Sequence, residues 1–407
     1  MVAPGGSRRK KPWMTPGDGT DHITALPLDL RARIVSLLPF RQVARLSSLS
    51  RPWRHIHHNT PVVSLKLDDF LFLTEEMLDE DDSAPGVLDE DALAALEAAL
   101  LRRAEEGSGF PKVGALRISY SPDDPRMMRH AGRIMAAAGA REVRVSVPND
   151  GGAAGDAWPL DLPPASRDLD VVAFRHLAPT IAGPGAATSL ETLRLEHVVL
   201  REWPCLPALR SLTLDTVTVE APFPPGASFP RLEHLCISVS EVEQVRFDIR
   251  LPLLESLEMD DVYGSLGDVT VDAPALKELD VGCAIGFDVD YRSFTLRAPR
   301  LRCLRWRNQF SERVDIDVGR PGSVVEGTIQ FKWNGGFDCR EMKDCQAQMM
   351  RMLQGLMPEL PSERVADAAR PYTTLKKYTV KGFDDGELLP EEKVICDIHG
   401  LMSSLHA

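Results

Sequence analysis

The sequence lacks several features that would place it in a familiar class of protein. No apolar run approaches the roughly 18–20 residues that cross a bilayer, so no membrane association is predicted. Basic residues are not in excess, because 47 Lys and Arg stand against 60 Asp and Glu, a net charge of −13. Nucleic-acid binding needs a basic surface that displaces counterions. The charge therefore argues against a nucleic-acid partner, although it leaves room for local basic patches.

Cysteine-based and secretory features are also missing. The seven cysteines include no C-x-x-C pair, so neither a zinc ribbon nor a thioredoxin-type site is supported. The basic run at residues 7–12 has no apolar stretch behind it, so it is not a secretory signal. We expect reduced thiols in an intracellular protein, cytoplasmic or nuclear. Residues 1–20 are predicted to be a disordered tail, and a weak nuclear localisation signal is the alternative.

No motif for catalysis or metal binding stands out. The sequence contains neither G-x-S-x-G nor H-E-x-x-H. The acidic stretch at residues 74–91 lacks the Gly and Glu offsets of an EF-hand loop, so it is predicted to be a solvated loop. His55, His57 and His58 have no acidic or cysteine partner nearby in the sequence, and we expect them at a solvent-facing helix terminus. The sequence predicts no catalytic residue, no metal site and no cofactor.

What the sequence does contain is a repeat. From residue 113, short apolar strands alternate with Pro- and Gly-rich connectors, and an L-x-x-L-x-L template recurs with starts 19 to 25 residues apart. This period and pattern are typical of a leucine-rich repeat. The clean copies are Leu190/Leu193/Leu195, Leu209/Leu212/Leu214, Leu232/Leu235/Ile237, Leu254/Leu257/Met259, Leu276/Leu279/Val281 and Leu301/Leu304/Trp306. Looser copies are Val62/Leu65/Leu67, Val113/Leu116/Ile118, Ala140/Val143/Val145 and Leu169/Val172/Phe174.

Strand alternation assigns the two faces of each copy. The last two apolar residues face inward, and stacked copies bury one continuous core. The usual repeat has Asn or Cys three residues later, where its side chain satisfies turn backbone groups. Here those positions hold Val198, Val217, Ser240, Val262 and Ala284. We therefore expect turns that are satisfied in another way, and irregular convex sides with few helices.

The outward positions of the central strands are rich in acids. Alternation brings together five carboxylates, here called the acidic cluster: Asp215, Glu258, Asp260, Glu278 and Asp280. Arginines, among them Arg194 and Arg305, lie at the two ends of this surface. Solenoids bind along such faces, and clustered acids attract basic partners. The sequence predicts a basic target segment here, with a merely solvated acidic face as the alternative.

Residues 21–58 have a different pattern, that of short helices. Pro27 suits a helix start, and Leu30, Ile34, Leu37 and Leu38 follow at roughly helical spacing. A second helix is predicted from about residue 41 and a third, short one after residue 50. Three short helices make a very small core, so apolar surface is left over for a partner.

These residues resemble an F-box. The resemblance rests on Asp21-x-Ile23-x-x-Leu26-Pro27, Leu37-Leu38-Pro39, Leu49-Ser50-Arg51 and Trp53-Arg54. Together with the repeats, it is closest to plant F-box proteins with degenerate leucine-rich repeats. The resemblance implies binding to a Skp-type adaptor, which connects to a cullin. The positions that match the interface are Leu26, Pro27, Leu30, Ile34, Leu37, Leu38 and Trp53. Two departures are Leu28, often acidic in the family, and Pro52, commonly basic.

The sequence as a whole predicts an α/β chain: an N-terminal three-helix F-box, then a degenerate leucine-rich-repeat solenoid with a curved parallel sheet. The expected divisions are a tail at 1–20, the F-box at 21–60, the solenoid at 61–335, and a helical cap and tail at 336–407. The expected function is substrate recognition in a cullin-based ubiquitin ligase, without catalysis by this chain. The alternatives are a repeat-protein scaffold uncoupled from a ligase, and an enzyme on an unusual scaffold.

Overall fold

The computed structural model describes residues 23–49, 51–72, 86–105, 109–147, 157–224, 226–283, 290–307, 309–319, 324, 326–332, 355 and 393–397. The tail at 1–20, most of the acidic stretch at 74–91, nearly all of a helix predicted at 339–357 and a strand predicted at 376–380 lie outside these residues. Within the described part of the chain, no helix is both long and apolar enough to span a membrane.

The helices are concentrated in the first half of the described chain. They are α1 (Leu28–Val35), α2 (Phe40–Leu49), α3 (Glu90–Ala104), α4 (Pro125–Ala138) and α5 (Gly183–Thr188), with single 3₁₀ turns at Arg51–Trp53, Ile56–His58 and Leu67–Phe70. Helix α3 begins where the sequence predicts, because the Asp89 carboxylate accepts a hydrogen bond from the Ala92 N–H at 3.0 Å. The third predicted F-box helix is two 3₁₀ turns rather than an α-helix.

One long sheet forms the frame of the solenoid. In chain order, the strands of this sheet and of the smaller sheets are β1 (Val62–Lys66), β2 (Leu71–Phe72), β3 (Val87–Leu88), β4 (Ala115–Ser119), β5 (Glu142–Val147), β6 (Ala157–Asp161), β7 (Asp168–Ala182), β8 (Thr192–Leu200), β9 (Ser211–Asp215), β10 (Thr218–Val219), β11 (His234–Ser238), β12 (Glu241–Val242), β13 (Arg246–Arg250), β14 (Ser256–Asp260), β15 (Tyr263–Gly264), β16 (Asp268–Asp272), β17 (Glu278–Gly282), β18 (Asp290–Arg297), β19 (Cys303–Arg307), β20 (Phe310–Asp317), β21 (Glu326–Lys332) and β22 (Lys393–Asp397).

The sheet order follows the chain, as a solenoid requires. The main path runs β1-β4-β5-β7-β8-β9-β11-β14-β17-β19-β21, every neighbour parallel, and β22 adds an antiparallel edge. The registers are straight: Leu212 pairs with Leu193 and Leu235, and Leu257 pairs with Leu235 and Leu279. These residues are each about 1% exposed. The predicted α/β solenoid and its continuous buried row are confirmed.

The register predicted for two of the looser copies is wrong. Val63 and Leu65 pair with Leu116 and Ile118, so the first repeat begins at Thr60 rather than Val62. Leu169 pairs with Leu193 and Val171 with Leu195, so the fourth begins at Ser166 rather than at Leu169. The reason is chemical. Both true first positions hold a buried hydroxyl residue, which a leucine template misses. Thr60 Oγ1 donates to the His57 carbonyl and Ser166 Oγ to the Ala140 carbonyl.

The expectation of irregular convex sides is wrong for the later repeats. Strands β13, β16, β18 and β20 form a second parallel sheet on the far side of the same core. Phe247, Ile249, Val269 and Val271 face that core and are at most 1% exposed. The Phe294 ring lies 5.1 Å from the Trp306 ring of β19, at 90°. Alternation of apolar residues every second position, present in all four segments, is the signal for this sheet.

Apart from Ser240, whose Oγ accepts a hydrogen bond from the Val217 N–H at 3.2 Å, the described turns after the strands use backbone groups rather than the usual polar side chain. His197, Thr216, Val239 and Asp261 have positive φ values of 46–56°, one per repeat and each two residues past the last inward position. Backbone N–H groups there donate to the next repeat, for example from Val239 to the Asp260 carbonyl at 2.9 Å. The expectation of few helices holds here, since none lies between α5 and the end of β20 in the described residues.

Candidate adaptor-binding face and concave surface

The F-box unit has a core of its own. It is built from Ala32 and Val35 of α1, Val43 of α2 and Ile56 of the second 3₁₀ turn, with Trp53 packed at its edge. Four buried side chains bury little apolar area, so this unit contributes little stability by itself. It also leaves much of α1 without cover.

The apolar stripe of α1 and the turn after it points away from that core. Leu30 is 41% exposed, Ile34 47%, Leu37 80% and Leu38 37%. Pro27 is exposed, while Leu26 and Trp53 are half-buried. The sequence-predicted adaptor positions are therefore exposed or half-buried, and they are here called the F-box face. Two further apolar residues of this unit are exposed, Ile23 at 52% and Leu28 at 45%.

Trp53 is held in place by α1. The Arg31 guanidinium lies over the Trp53 ring, 5.7 Å from its centroid, a cation–π arrangement. Arg31 Nη1 also donates to the Pro52 carbonyl at 2.9 Å. Pro52 therefore causes no local disruption, because its own carbonyl anchors the contact between α1 and the first 3₁₀ turn.

A buried arginine joins the F-box unit to the solenoid. Arg103 of α3 is 2% exposed and donates to three carbonyls: His57 at 3.3 Å, Thr60 at 2.8 Å and Pro111 at 3.1 Å. Arg41 of α2 reaches the Asp69 carbonyl at 2.6 Å. These contacts fix how the F-box face is presented relative to the repeats.

The histidines lie at this junction, and the expectation that they face solvent is wrong for two of them. His57 and His58 are half-buried, with ring centroids 3.9 Å apart, and the His58 ring lies 4.7 Å from that of Phe110. His57 Nδ1 lies 2.7 Å from Ser47 Oγ. Burial, then His58, His55 and Arg103, lower the pKa of His57 to about 4. A neutral His57 at physiological pH follows from this environment.

The outward face of the main sheet, called the concave face below, holds the acidic cluster. Glu258 and Asp280 are register partners on β14 and β17, and Glu258 and Glu278 are exposed. Burial, aided by nearby carboxylates, raises the pKa of Asp260. Burial and Glu258 raise the pKa of the Cys236 thiol to about 11, so this cysteine is a poor nucleophile.

Arg194 on β8 and Arg305 and Arg307 on β19 lie on the strands at the two ends of the acidic cluster, and their side chains reach into it. Arg307 reaches Asp280 at 3.0 Å and Asp260 at 3.4 Å. Arg305 lies 3.9 Å from Asp280, and Arg194 lies 3.2 Å from Asp215. Part of the cluster is therefore neutralised from within, and Glu258 and Glu278 carry most of the charge that remains for a partner. Long side chains reach neighbouring strands, which strand alternation does not predict.

No group of three or more His, Cys, Asp or Glu within the described residues is arranged to hold a metal ion. Two positions predicted to face outward are buried, Gly282 and Cys303. Gly282 is the register partner of Asp260, and Cys303 is the register partner of Glu278.

The helical unit matches a known domain. Residues 23–56 match the F-box domain family, and this range covers the F-box face and Trp53. The chain carries an F-box domain.

The curated relatives combine this domain with repeats. An FBD-associated F-box protein of Arabidopsis thaliana is 25% identical over 328 residues, 79% of this chain and 59% of its own length. An F-box/FBD/LRR-repeat protein of the same plant is 27% identical over 281 residues, 66% of this chain and 56% of its own. A putative F-box/LRR-repeat protein of Arabidopsis thaliana is 23% identical over 314 residues, which are 76% of this chain and 57% of its own length. The chain thus spans less than three fifths of each relative. No solved structure matches it significantly.

These matches confirm the resemblance to plant-type F-box/leucine-rich-repeat proteins that the sequence motifs carry. They add a family description for the first unit and repeat-containing relatives for most of the chain.

Proposed function

We propose that this protein is the substrate-recognition subunit of a cullin-based, SCF-type ubiquitin ligase. In this proposal the F-box at residues 21–60 binds a Skp-type adaptor, and the solenoid at 61–335 binds the target protein. The chain itself performs no chemistry, because the transfer of ubiquitin occurs on other subunits. Its contribution is to hold a target at a fixed position relative to the adaptor.

The observation that carries the proposal is the exposed F-box face. A helix of a water-soluble unit normally turns its apolar stripe to the core, yet α1 buries Ala32 and Val35 and exposes Leu30 and Ile34. Contiguous exposed apolar surface marks an interaction site. The match of residues 23–56 to the F-box domain supports an adaptor as the partner.

The solenoid supports the second half of the proposal through its concave face. Parallel in-register strands present an extended surface of exposed polar side chains, and repeat arrays bind on such surfaces. We assign target binding to Asp215, Glu258, Asp260, Glu278, Asp280 and Arg305. The exposed Glu258 and Glu278 favour a basic segment of the target.

Adaptor binding can be tested with a double substitution, Leu26→Ala with Pro27→Ala. Loss of apolar contact at the interface should cost about 2–4 kcal/mol, a roughly thirtyfold to eight-hundredfold loss of affinity measured by calorimetry or by co-purification with a Skp-type adaptor. The matched control is Val245→Ala with Leu253→Ala, since these apolar residues are 54% and 48% exposed on the solenoid and should not affect the adaptor.

Two results would decide against the proposal. Adaptor affinity that is unchanged in a folded Leu26/Pro27 variant contradicts the assignment of the F-box face. If the wild-type chain co-purifies from cells with a target protein but with neither an adaptor nor a cullin, it is instead a repeat-protein scaffold uncoupled from a ligase.

A further inference from the structure

The N-terminal end of the concave face carries a pair of arginines that the acidic cluster does not include. Arg117 of β4 and Arg144 of β5 are register partners on adjacent parallel strands, and both are exposed. Ser119 and Ser146, also in register, lie one position further along the same face. The surface therefore offers two guanidinium groups and two hydroxyls side by side.

These arginines are only partly matched by acids. Arg144 lies 3.3 Å from Asp170 of β7. Within the part of the chain that the structure describes, Arg117 has no ion pair. Glu142 lies on the same face two residues before Arg144, and it forms no ion pair with either arginine in that part of the chain.

Two like charges at paired positions on adjacent strands destabilise a sheet. Directly neighbouring like charges destabilise strand pairs, whereas on the next strand Asp170 is the register partner of both Arg144 and Arg194. An anion that bound between Arg117 and Arg144 would remove the repulsion. Guanidinium groups suit this purpose because they bind carboxylates through parallel, charge-assisted hydrogen bonds.

The distance from this pair to the acidic cluster is set by the strand ladder. Six strand steps separate the middle of the Arg117/Arg144 pair from the middle of the Glu258/Asp280 pair. At about 4.8 Å per step this is roughly 29 Å. Between them the same row holds Asp170 and Arg194, which are paired with Arg144 and Asp215, followed by the uncharged Thr213 and Cys236. An extended chain covers that span with about eight residues.

We propose that the Arg117/Arg144 pair binds an acidic stretch of the target protein, and that the target lies across the strands as an extended segment with acidic and basic stretches about eight residues apart. The second half rests on the proposed function, in which the acidic cluster binds the basic stretch. Opposite charges at the two ends define the direction in which such a segment lies across the strands.

The probes are labelled synthetic peptides, measured by fluorescence anisotropy with the full chain at low and physiological salt. One carries a block of four Glu and a block of four Lys with centres eight residues apart. A second places the centres four residues apart, and a third scrambles the same composition. The eight-residue peptide should bind at least about tenfold more tightly than the other two, because only it reaches both ends.

The variant Arg117→Glu with Arg144→Glu should weaken binding of the eight-residue peptide about tenfold or more and should not weaken binding of a Lys-only peptide. Arg129→Glu with Arg133→Glu is the matched control, since it makes the same charge change on exposed positions of α4. Co-purification with the adaptor is measured on the same preparations. A chain that binds the peptides as expected but does not bind the adaptor contradicts the proposed ligase function and not the peptide-binding inference.

Three outcomes overturn the inference. The first is equal affinity for the eight-residue, four-residue and scrambled peptides. The second is wild-type affinity in the Arg117/Arg144 variant. The third is binding of a phosphoserine peptide that is more than tenfold tighter than that of the Glu peptide, which would make the occupant a phosphorylated segment rather than an acidic one.

Discussion

At the scale of single residues, the most consequential side chain in the described chain is Arg103. It is buried and donates hydrogen bonds to neutral carbonyls in two segments of the chain, His57 and Thr60 in one and Pro111 in the other. A buried cation is tolerated when its donors are satisfied, and here the donors also hold the F-box unit to the first repeat.

Arg103→Met should remove this anchor while retaining much of the apolar volume. Leaving buried carbonyls without a donor costs about 1–3 kcal/mol each, so we expect a loss of about 3 kcal/mol in the free energy of unfolding, measured in urea. Arg102→Met, a change at the exposed neighbouring position, is the control. Equal stability of the two variants would show that Arg103 does not anchor the junction.

His57 makes the junction sensitive to acid. Its pKa is lowered in the folded state from 6.5 to about 4, by burial first and then by His58, His55 and Arg103. The unfolded chain therefore binds a proton that the folded chain does not, and the stability from neutral His57 is present above pH 6.5 and lost as the pH falls toward 4.

The corresponding experiment compares urea midpoints at pH 7.5, 6.5 and 5.5. Wild-type protein should lose more stability over this range than a His57→Gln variant, which cannot take up that proton. His234→Gln, at an exposed position on the concave face, should keep the wild-type slope. A pH dependence that is identical in all three proteins would contradict this account.

At the scale of elements, each repeat depends on its neighbours. A strand such as β14 contributes Leu257 and Met259 to the core, both at most 1% exposed, and its backbone pairs with β11 and β17. Stability in such an array is a sum over neighbouring interfaces, so damage to one strand should spread to those on each side.

Leu257→Asp tests this coupling directly. A buried, unpaired carboxylate cannot be accommodated in an apolar core, so limited proteolysis should open cleavage sites in the repeats of β11, β14 and β17 together. Leu253→Asp, at a residue that is 48% exposed in the preceding turn, should leave the wild-type digestion pattern. If Leu257→Asp also leaves it, the assigned register is wrong.

At the scale of the whole molecule, two surfaces are held by one continuous frame. The F-box face lies at the N-terminal end, Arg103 and Arg41 fix it to the first repeat, and the concave face extends from there over the in-register strands. In the proposed function, this rigid arrangement sets the position of the target relative to the adaptor.

Target binding by the acidic cluster should be tested with Glu258→Lys and Glu278→Lys. These exposed residues can be reversed without disturbing Arg307, whose partners are Asp260 and Asp280. Capture of target proteins should fall strongly at physiological salt while adaptor binding stays normal. Glu241→Lys with Glu243→Lys makes the same charge change at exposed positions beyond the strands of the main sheet. Undiminished capture would mean that the acidic cluster is only a solvated surface.

The local pattern of the sequence was enough to determine the repeats and the F-box. Inward and outward positions follow from a period of two along a strand, so Leu193, Leu212 and Leu279 could be assigned to the core before any tertiary contact was known. The cap of α3 at Asp89 is equally local, since it depends on residues three apart.

Tertiary structure decided what local pattern does not contain. The first positions Thr60 and Ser166 are acceptable in the core only because the chain brings a carbonyl within reach of each hydroxyl. The apolar stripe of α1 stayed exposed because the short F-box unit packs α1 through Ala32 and Val35. The destinations of Arg103 and Arg307 were set by folding, since a long side chain pairs with whatever group the fold places within its reach.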